Sequence, residues 1–236
     1  MSDILYIIIP AYNESENLKN VINDWYPVVE KHNANGKSRL VIIDDGSRDN
    51  SFEIMQSLAK TRPLFTPITK QNSGHGATVL YGYNHALENS ADYVFQTDSD
   101  GQTIPEEFEQ FWNERKNYAA IIGKRSKRQD GFSRIIVTKV LKIVIKICFH
   151  TDVPDANTPY RLMSTAELKK YLPKIPKDFN LSNVILSVLL VKNADVKFIP
   201  ITFRPRQGGT NSINIKKIIK IGKKAFFDFK EINKLI

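Results

Sequence analysis

The 236-residue sequence has one cysteine, Cys148, so no intrachain disulfide can form, and the chain fits a reducing, cytosolic compartment. It also lacks any apolar run near the ~18 residues that a bilayer crossing needs. Its opening, MSDILYIIIPAYNE, carries no basic stretch, and the apolar run Ile4–Ile9 stops at Pro10. That segment reads as neither a signal peptide nor a spanning helix, and a soluble or membrane-peripheral chain is expected. Internal repeats, low-complexity tracts and linkers are missing too. The charged share is 25%, ordinary for a folded domain, and the 42% apolar share is enough for one sizeable core.

Acid is scarce in the second half. Residues 1–118 hold 10 Lys+Arg and 17 Asp+Glu, whereas residues 119–236 hold 24 and 8, within an overall balance of +9. A basic half implies an anionic partner: nucleic acid, an anionic membrane surface or a phosphorylated substrate. Aromatic residues do not interleave with the lysines as stacking platforms would, and no nucleic-acid recognition motif is present. A basic nucleic-acid-binding module is therefore disfavoured, and nucleic acid is not an expected partner.

The first half alternates short apolar runs with helical periodicity. Strands are expected over Ile4–Ile9, Arg39–Ile43, Tyr93–Gln96 and Ala119–Gly123, with a weaker one over Leu64–Thr69, where Pro67 intervenes. Helices fall between them: one carries Leu18, Val21, Ile22, Trp25 and Val29 and is expected to kink or end near Pro27. Others cover Ser51–Lys60 and Gly76–Glu88, and a further one starts at Pro105. This pattern predicts an α/β fold, a mostly parallel sheet flanked by helices, with ligands at the carboxyl ends of the strands. The second half predicts helices over Phe132–Phe149, near Asn183–Lys192 and within Ile213–Ile236, plus a strand over Val196–Phe203, read as appendages to that sheet.

Acidic or polar clusters follow three strands: Asn13-Glu14, Asp44-Asp45 and Asp98-Ser99-Asp100. Strand ends converge on one edge of a parallel sheet, so these side chains can share a crevice. Two carboxylates one residue apart, on a turn eased by Gly101, offer a partial set of hard oxygens suited to Mg²⁺ or Mn²⁺ with substrate phosphates. Asp-x-Asp alone also occurs in plain turns and caps. The glycine-rich stretch Asn72–Ala77 lacks the Gly-Lys-Ser/Thr of a P-loop and the third glycine of a dinucleotide fingerprint. It is either a phosphate loop or a tight turn with close backbone packing.

The ordered series IIIPAYNESENL, VIIDDGSRDNS, QNSGHGATVLYGYNHAL, DYVFQTDSDGQ and IIGKRSKR resembles the family-2 nucleotide-sugar glycosyltransferases of the GT-A fold. The similarity is strongest to their polyprenyl-phosphate branch, typified by dolichol-phosphate mannose synthase. Weaker matches follow at DANTPYR and FRPRQGG. The resemblance implies that Pro10, Ala11, Tyr12 and Glu14 hold a base and ribose, that Asp44 or Asp45 bonds the base, and that Gly74 belongs to the nucleotide site. It implies that Asp98 and Asp100 bind the metal with Gln102 as a further ligand, and that Arg125 and Arg206 contact the diphosphate or an acceptor phosphate. Arg161 matches an acceptor-side arginine, with Asp155 at the start of the same motif. Departures are His75 where a lysine is common, Pro159 for a flexible glycine, Asn183 where a glutamate is usual, and GGTNSIN, which leaves an acceptor-binding lysine unplaced.

The implied activity is an inverting, metal-dependent transfer of a sugar from a nucleotide diphosphate sugar to a polyprenyl phosphate at the cytosolic face of a membrane. The alternative acceptor is a glycan hydroxyl in cell-surface polysaccharide synthesis. A hydroxyl needs a general base, for which Asp155 is the candidate, and a phosphate needs none. The eight acids of the second half favour the phosphate. Two basic amphipathic segments suit an anionic membrane surface or a membrane-anchoring partner: Phe132–Phe149, with a stripe of Lys139, Lys142 and Lys146, and the C-terminal helix with Ile215, Ile218, Ile219, Phe226, Phe229 and Ile232 on one face. Ordinary packing on the core is the competing reading of both. The expected organisation is a domain over 1–212, with a nucleotide-sugar half (1–125) and an acceptor half (126–212), followed by the basic helix 213–236.

Overall fold

The computed structural model describes residues 2–125, 132–205 and 215–234, with side chains described outside 132–137 and 215–222. Seven strands form one sheet: β1 (Leu5–Ala11), β2 (Arg39–Asp44), β3 (Phe65–Thr69), β4 (Tyr93–Gln96), β5 (Ala120–Arg125), β6 (Arg161–Ser164) and β7 (Val196–Ile201). Their order is β3-β2-β1-β4-β6-β5-β7. All pairs are parallel except those of β6, which runs antiparallel to both β4 and β5.

The two-residue period of a strand explains the two cores. On β1, Leu5, Ile7, Ile9 and Ala11 join one cluster, with Leu18, Trp25, Phe108 and Phe111. Tyr6 and Ile8 join the other, with Val79, Tyr83, Val184 and Leu189. Every residue of β1 is buried, as a central parallel strand covered on both faces should be. One layer holds α1 (Leu18–Lys31), α2 (Ser51–Ala59) and α4 (Phe108–Glu114). The other holds α3 (His75–Glu88), α5 (Phe132–Phe149), α6 (Thr165–Tyr171), α7 (Ser182–Asn193) and α8 (Ile215–Ile232).

Some expectations change. Helix α1 continues through Pro27 to Lys31 instead of ending there. Pro27 and Asn23 are exposed, so the carbonyl that loses its helical donor faces water. Pro67 sits on β3, the outermost strand, where a missing N–H costs least. Strands β6 and β7 are not appendages but members of the sheet, and α6 adds a helix that periodicity over seven residues did not reveal. In α8, Phe229 and Ile232 are buried, with Phe229 5.5 Å from Phe149 and 6.1 Å from Phe179 between ring centroids. That part of its apolar face belongs to the core.

The register places the ends of β1, β2 and β3 level: Ala11 pairs with Asp44, and Asp44 with Thr69. Gln96 ends β4 beside Ile8. Because β6 is antiparallel, it enters the sheet at the edge where its neighbours leave, with Arg161 between Gln96 and Ile122. The loop leading into β6 therefore lies beside the acidic turns.

Candidate active site

A cavity of about 640 Å³ opens along this edge. Its lining includes Pro10, Ala11, Tyr12, Glu14, Asp45, Gly74, Asp98, Asp100, Gln102, Arg125 and Asp155, so most residues singled out from the sequence converge there. Asp44 and Arg161 do not line it, and Arg206 lies outside the described residues.

At the β1 and β2 ends the chain is held by short polar contacts. The Glu14 carboxylate accepts from Asn17 Nδ2 at 2.7 Å, and its backbone N–H donates to Ser51 Oγ at 3.0 Å. Asp44 is turned away: its carboxylate accepts from Thr69 Oγ1 at 2.7 Å and from the Ser47 N–H at 3.1 Å, closing the turn after β2. Asp45 faces the cavity and accepts from Lys70 Nζ and from the N–H groups of Ser73 and Gly74, both at 2.9 Å. Burial works to raise the Asp45 pKa, but hydrogen bonds from Lys70, Ser73 and Thr78, with the Lys70 charge, bring it below the ordinary carboxylate value.

The glycine-rich stretch behaves as the close-packing reading requires. A Cβ on Gly76 would collide with the Phe179 carbonyl oxygen and lie 2.6 Å from the Asn180 carbonyl carbon. Ser182 Oγ donates to the Gly76 carbonyl at 2.9 Å, so the start of α7 is tied to the first turn of α3. Gly74, at φ +89°, also lines the cavity.

The acidic turn lines the cavity with Asp98, Ser99 and Asp100. Gly101 adopts φ +69°, and the Gln102 N–H donates to Asp100 Oδ1 at 3.1 Å, which folds the two carboxylates over one turn. The Gln102 side-chain amide donates to the Arg204 carbonyl at 2.9 Å. Asp98 Oδ1 accepts from Gln96 Nε2 and lies 3.1 Å from His75 Nε2. Burial lowers the His75 pKa, but the charge and hydrogen bond of Asp98, with the Asp100 charge, carry it above the ordinary histidine value. Among the described residues, no three His, Cys, Asp or Glu side chains form a ready-made metal cage. Two hard carboxylates opening on a cavity fit Mg²⁺ or Mn²⁺, which take few protein ligands and keep positions for phosphate.

On the far wall, Arg125 lies over the Phe203 ring, 5.1 Å from its centroid, and is clamped by Asp155. The Asp155 carboxylate accepts from Arg125 Nε at 2.8 Å, Nη2 at 2.7 Å and the backbone N–H at 3.2 Å. Among the described residues Asp155 pairs with Arg125, which meets both of its carboxylate oxygens.

Arg161 departs from expectation. It is fully buried, and its guanidinium donates to the carbonyls of Ala156, Thr158 and Asn183 and to Ser187 Oγ. Desolvation lowers its pKa, opposed by Tyr83 and by the carboxylates of Asp155 and Asp98. It does not line the cavity; it shapes the loop that carries Asp155.

Sequence reasoning missed the part α5 plays. Thr138, Leu141, Lys142 and Ile145 line the cavity, and Lys142 Nζ lies 3.1 Å from Asp152. A helical stripe at spacings of three and four was legible, but not which neighbour it faced. The outward face of α5 exposes Ile143 and Ile147, with Lys139 and Lys146 exposed on the same helix.

A family model described as "Glycosyl transferase family 2" matches residues 6–172. The chain is 31% identical over 188 residues to the UDP-N-acetylglucosamine–dolichyl-phosphate N-acetylglucosaminyltransferase of Methanococcus voltae, covering 70% of this chain and 71% of that protein. It is 31% identical over 143 residues to an undecaprenyl-phosphate 4-deoxy-4-formamido-L-arabinose transferase of Pseudomonas savastanoi pv. phaseolicola, covering 59% of this chain but 41% of that one. Among solved structures, glucosyl-3-phosphoglycerate synthase from Mycobacterium tuberculosis, in complex with Mn²⁺, UDP and phosphoglyceric acid, superposes with a TM-score of 0.69. The match covers 98% of this chain and 78% of that one, and at 14% identity the likeness is one of fold.

Proposed function

The chain belongs to glycosyl transferase family 2, with the GT-A fold, and from that premise we propose that it moves a sugar from a uridine diphosphate sugar to a polyprenyl phosphate at the inner face of a membrane. The observation that carries the reading is one cavity with two chemically distinct rims. The acidic rim, Asp98, Asp100 and Asp45, suits a donor. The opposite rim joins two cations, Arg125 and Lys142, to apolar side chains of α5, Leu141 and Ile145, and suits a phosphate on an apolar chain. The proposed donor half (1–125) and acceptor half (126–212) each supply one rim, apart from Arg125 at the junction. Both sequence relatives named above are polyprenyl-phosphate sugar transferases.

Uridine is supported by the first relative named above, which uses a UDP-sugar, and by Asp45 at the cavity, whose carboxylate suits the N3–H of uracil. Tyr12, exposed and at the cavity, is available to the face of the base.

Asp98 and Asp100 would hold Mg²⁺ or Mn²⁺, which when bound would offset the charge of the departing diphosphate. Arg125, aimed by Asp155, would add the N–H donors not used in that pair on the other side of the reacting centre. Lys142 would release Asp152 and take the acceptor phosphate. A phosphate oxygen is already ionised and needs no base, consistent with an Asp155 carboxylate occupied by Arg125. Peripheral membrane attachment is supported by the exposed Ile143 and Ile147 flanked by lysines. No helix among the described residues is long and apolar enough to cross a membrane.

The test is incubation with UDP- or GDP-sugars and undecaprenyl or dolichyl phosphate, with Mn²⁺ or with EDTA. Transfer from a UDP-sugar to the lipid, lost in EDTA and in Asp100→Asn, is the expected outcome. Extension of an oligosaccharide with no lipid product would replace the acceptor reading by a glycan hydroxyl.

A further inference from the structure

Beneath the acidic turn runs a buried chain of side-chain hydrogen bonds. Tyr83 Oη donates to Asn183 Oδ1 at 2.9 Å, Asn183 Nδ2 to Gln96 Oε1 at 3.0 Å, and Gln96 Nε2 to Asp98 Oδ1 at 3.1 Å. Tyr83 and Gln96 are fully buried and Asn183 nearly so, so water cannot substitute for any member. The chain has only one possible polarity. A carboxylate only accepts, so Gln96 must turn its NH₂ to Asp98 and its carbonyl to Asn183. Asn183 must then present its NH₂ to Gln96 and its carbonyl to the Tyr83 hydroxyl. Each amide is fixed by the one after it.

The chain selects one oxygen of Asp98. Gln96 and His75 both meet Oδ1, and among the described residues no protein hydrogen bond is recorded at Oδ2. The backbone around Asn183 is equally constrained: its carbonyl accepts from Arg161 Nη1 at 3.1 Å and from Ser187 Oγ at 2.8 Å. Arg161 in turn holds the loop of Asp155.

We propose that Gln96 and Asn183 are positioning residues that fix the Asp98 carboxylate so that its second oxygen is presented to a divalent cation. The proposal rests on the cation-binding reading of the acidic turn. Neither residue touches the cavity, and neither forms part of the metal's own shell. Hydrogen-bond partners of metal ligands typically govern affinity by about 10–100-fold.

Mn²⁺ binding in the presence of UDP, followed by the loss of the free-ion electron paramagnetic resonance signal, tests it in the wild type, Asn183→Asp and Gln96→Met. Asp at 183 has no NH₂ to give Gln96, and Met at 96 fills the space of glutamine without a donor. The expected result is a Kd for Mn²⁺ raised about tenfold or more in both variants, while UDP binding in EDTA stays within about twofold of the wild type. If burying a charge at 183 prevents folding, Gln96→Met alone carries the test, because it introduces no charge and leaves the Arg161 contacts in place. Wild-type affinity for Mn²⁺ in folded Gln96→Met overturns the positioning role and leaves the cation site standing. No Mn²⁺ binding by the wild type overturns the cation site itself, and the positioning role with it.

Discussion

Arg125 and Asp155 meet in a two-pronged ion pair, Nε to Oδ2 at 2.8 Å and Nη2 to Oδ1 at 2.7 Å, across a separation of 30 residues. Both side chains are 10% exposed or less, so the charges are removed from water and each depends on the other. Asp155→Ala leaves a buried guanidinium without its partner and is expected to lower stability by about 3–5 kcal/mol, read by urea unfolding. Arg125→Lys keeps the charge but not the planar fork, so the expected outcome is a folded protein with kcat lowered about a hundredfold. An unchanged kcat in Arg125→Lys would remove the arginine from the reaction.

Asp45 predicts a pH dependence of stability. Its folded-state pKa is depressed, with burial outweighed by hydrogen bonds from Lys70, Ser73 and Thr78. In the window between that depressed value and the unfolded value of about 3.9, the unfolded state binds more protons, so stability rises with pH. The contribution is present above about pH 4 and fades as the pH falls through the folded value. Urea midpoints at pH 7, 5, 4 and 3 should show Asp45→Asn less stable than the wild type at neutral pH, with the gap narrowing below about pH 4. A gap independent of pH would mean that the Asp45 charge is not the source.

Gly76 is constrained by backbone rather than by a phosphate. Its missing Cβ makes room for the Phe179 and Asn180 carbonyl groups, neither of which can rotate out of the way as a flexible side chain could. Gly76→Ala should cost about 1–3 kcal/mol through overpacking, seen as a lowered thermal midpoint with and without UDP. A variant with normal stability but weakened UDP binding would revive the phosphate-loop reading.

The outward face of α5 predicts attachment to lipid. Ile143 is 59% exposed and Ile147 56%, and on α8 Phe227 is 65% exposed. Lys139, Lys146, Lys223 and Lys224 are exposed on the same two helices. Each lysine near an anionic leaflet contributes about 1 kcal/mol. Ile143→Glu with Ile147→Glu should leave the thermal midpoint unchanged and reduce sedimentation with phosphatidylserine vesicles by about tenfold, a loss of about 1.4 kcal/mol. Wild-type sedimentation in that double variant would sink the assignment.

Local chemistry determined much of this protein. Alternating apolar runs and helical stripes fixed β1 to β5 and their helices, because period and turn residues act within a few positions. The clusters at Glu14, Asp45 and Asp98 could be expected at one edge because parallel strands all end on the same side. Other features were decided by contacts between residues far apart in the chain. Strand β6 is four residues long, too short to declare its direction, yet its antiparallel entry brings the Asp155 loop to the acidic turns. Arg161 matches an acceptor-side arginine by resemblance, and the fold buries it among carbonyls. Gln96 looks like the end of an apolar strand until Asn183, 87 residues away, supplies its partner. A charged or amide side chain is matched to whatever the packing brings beside it, and only the folded chain brings those groups together.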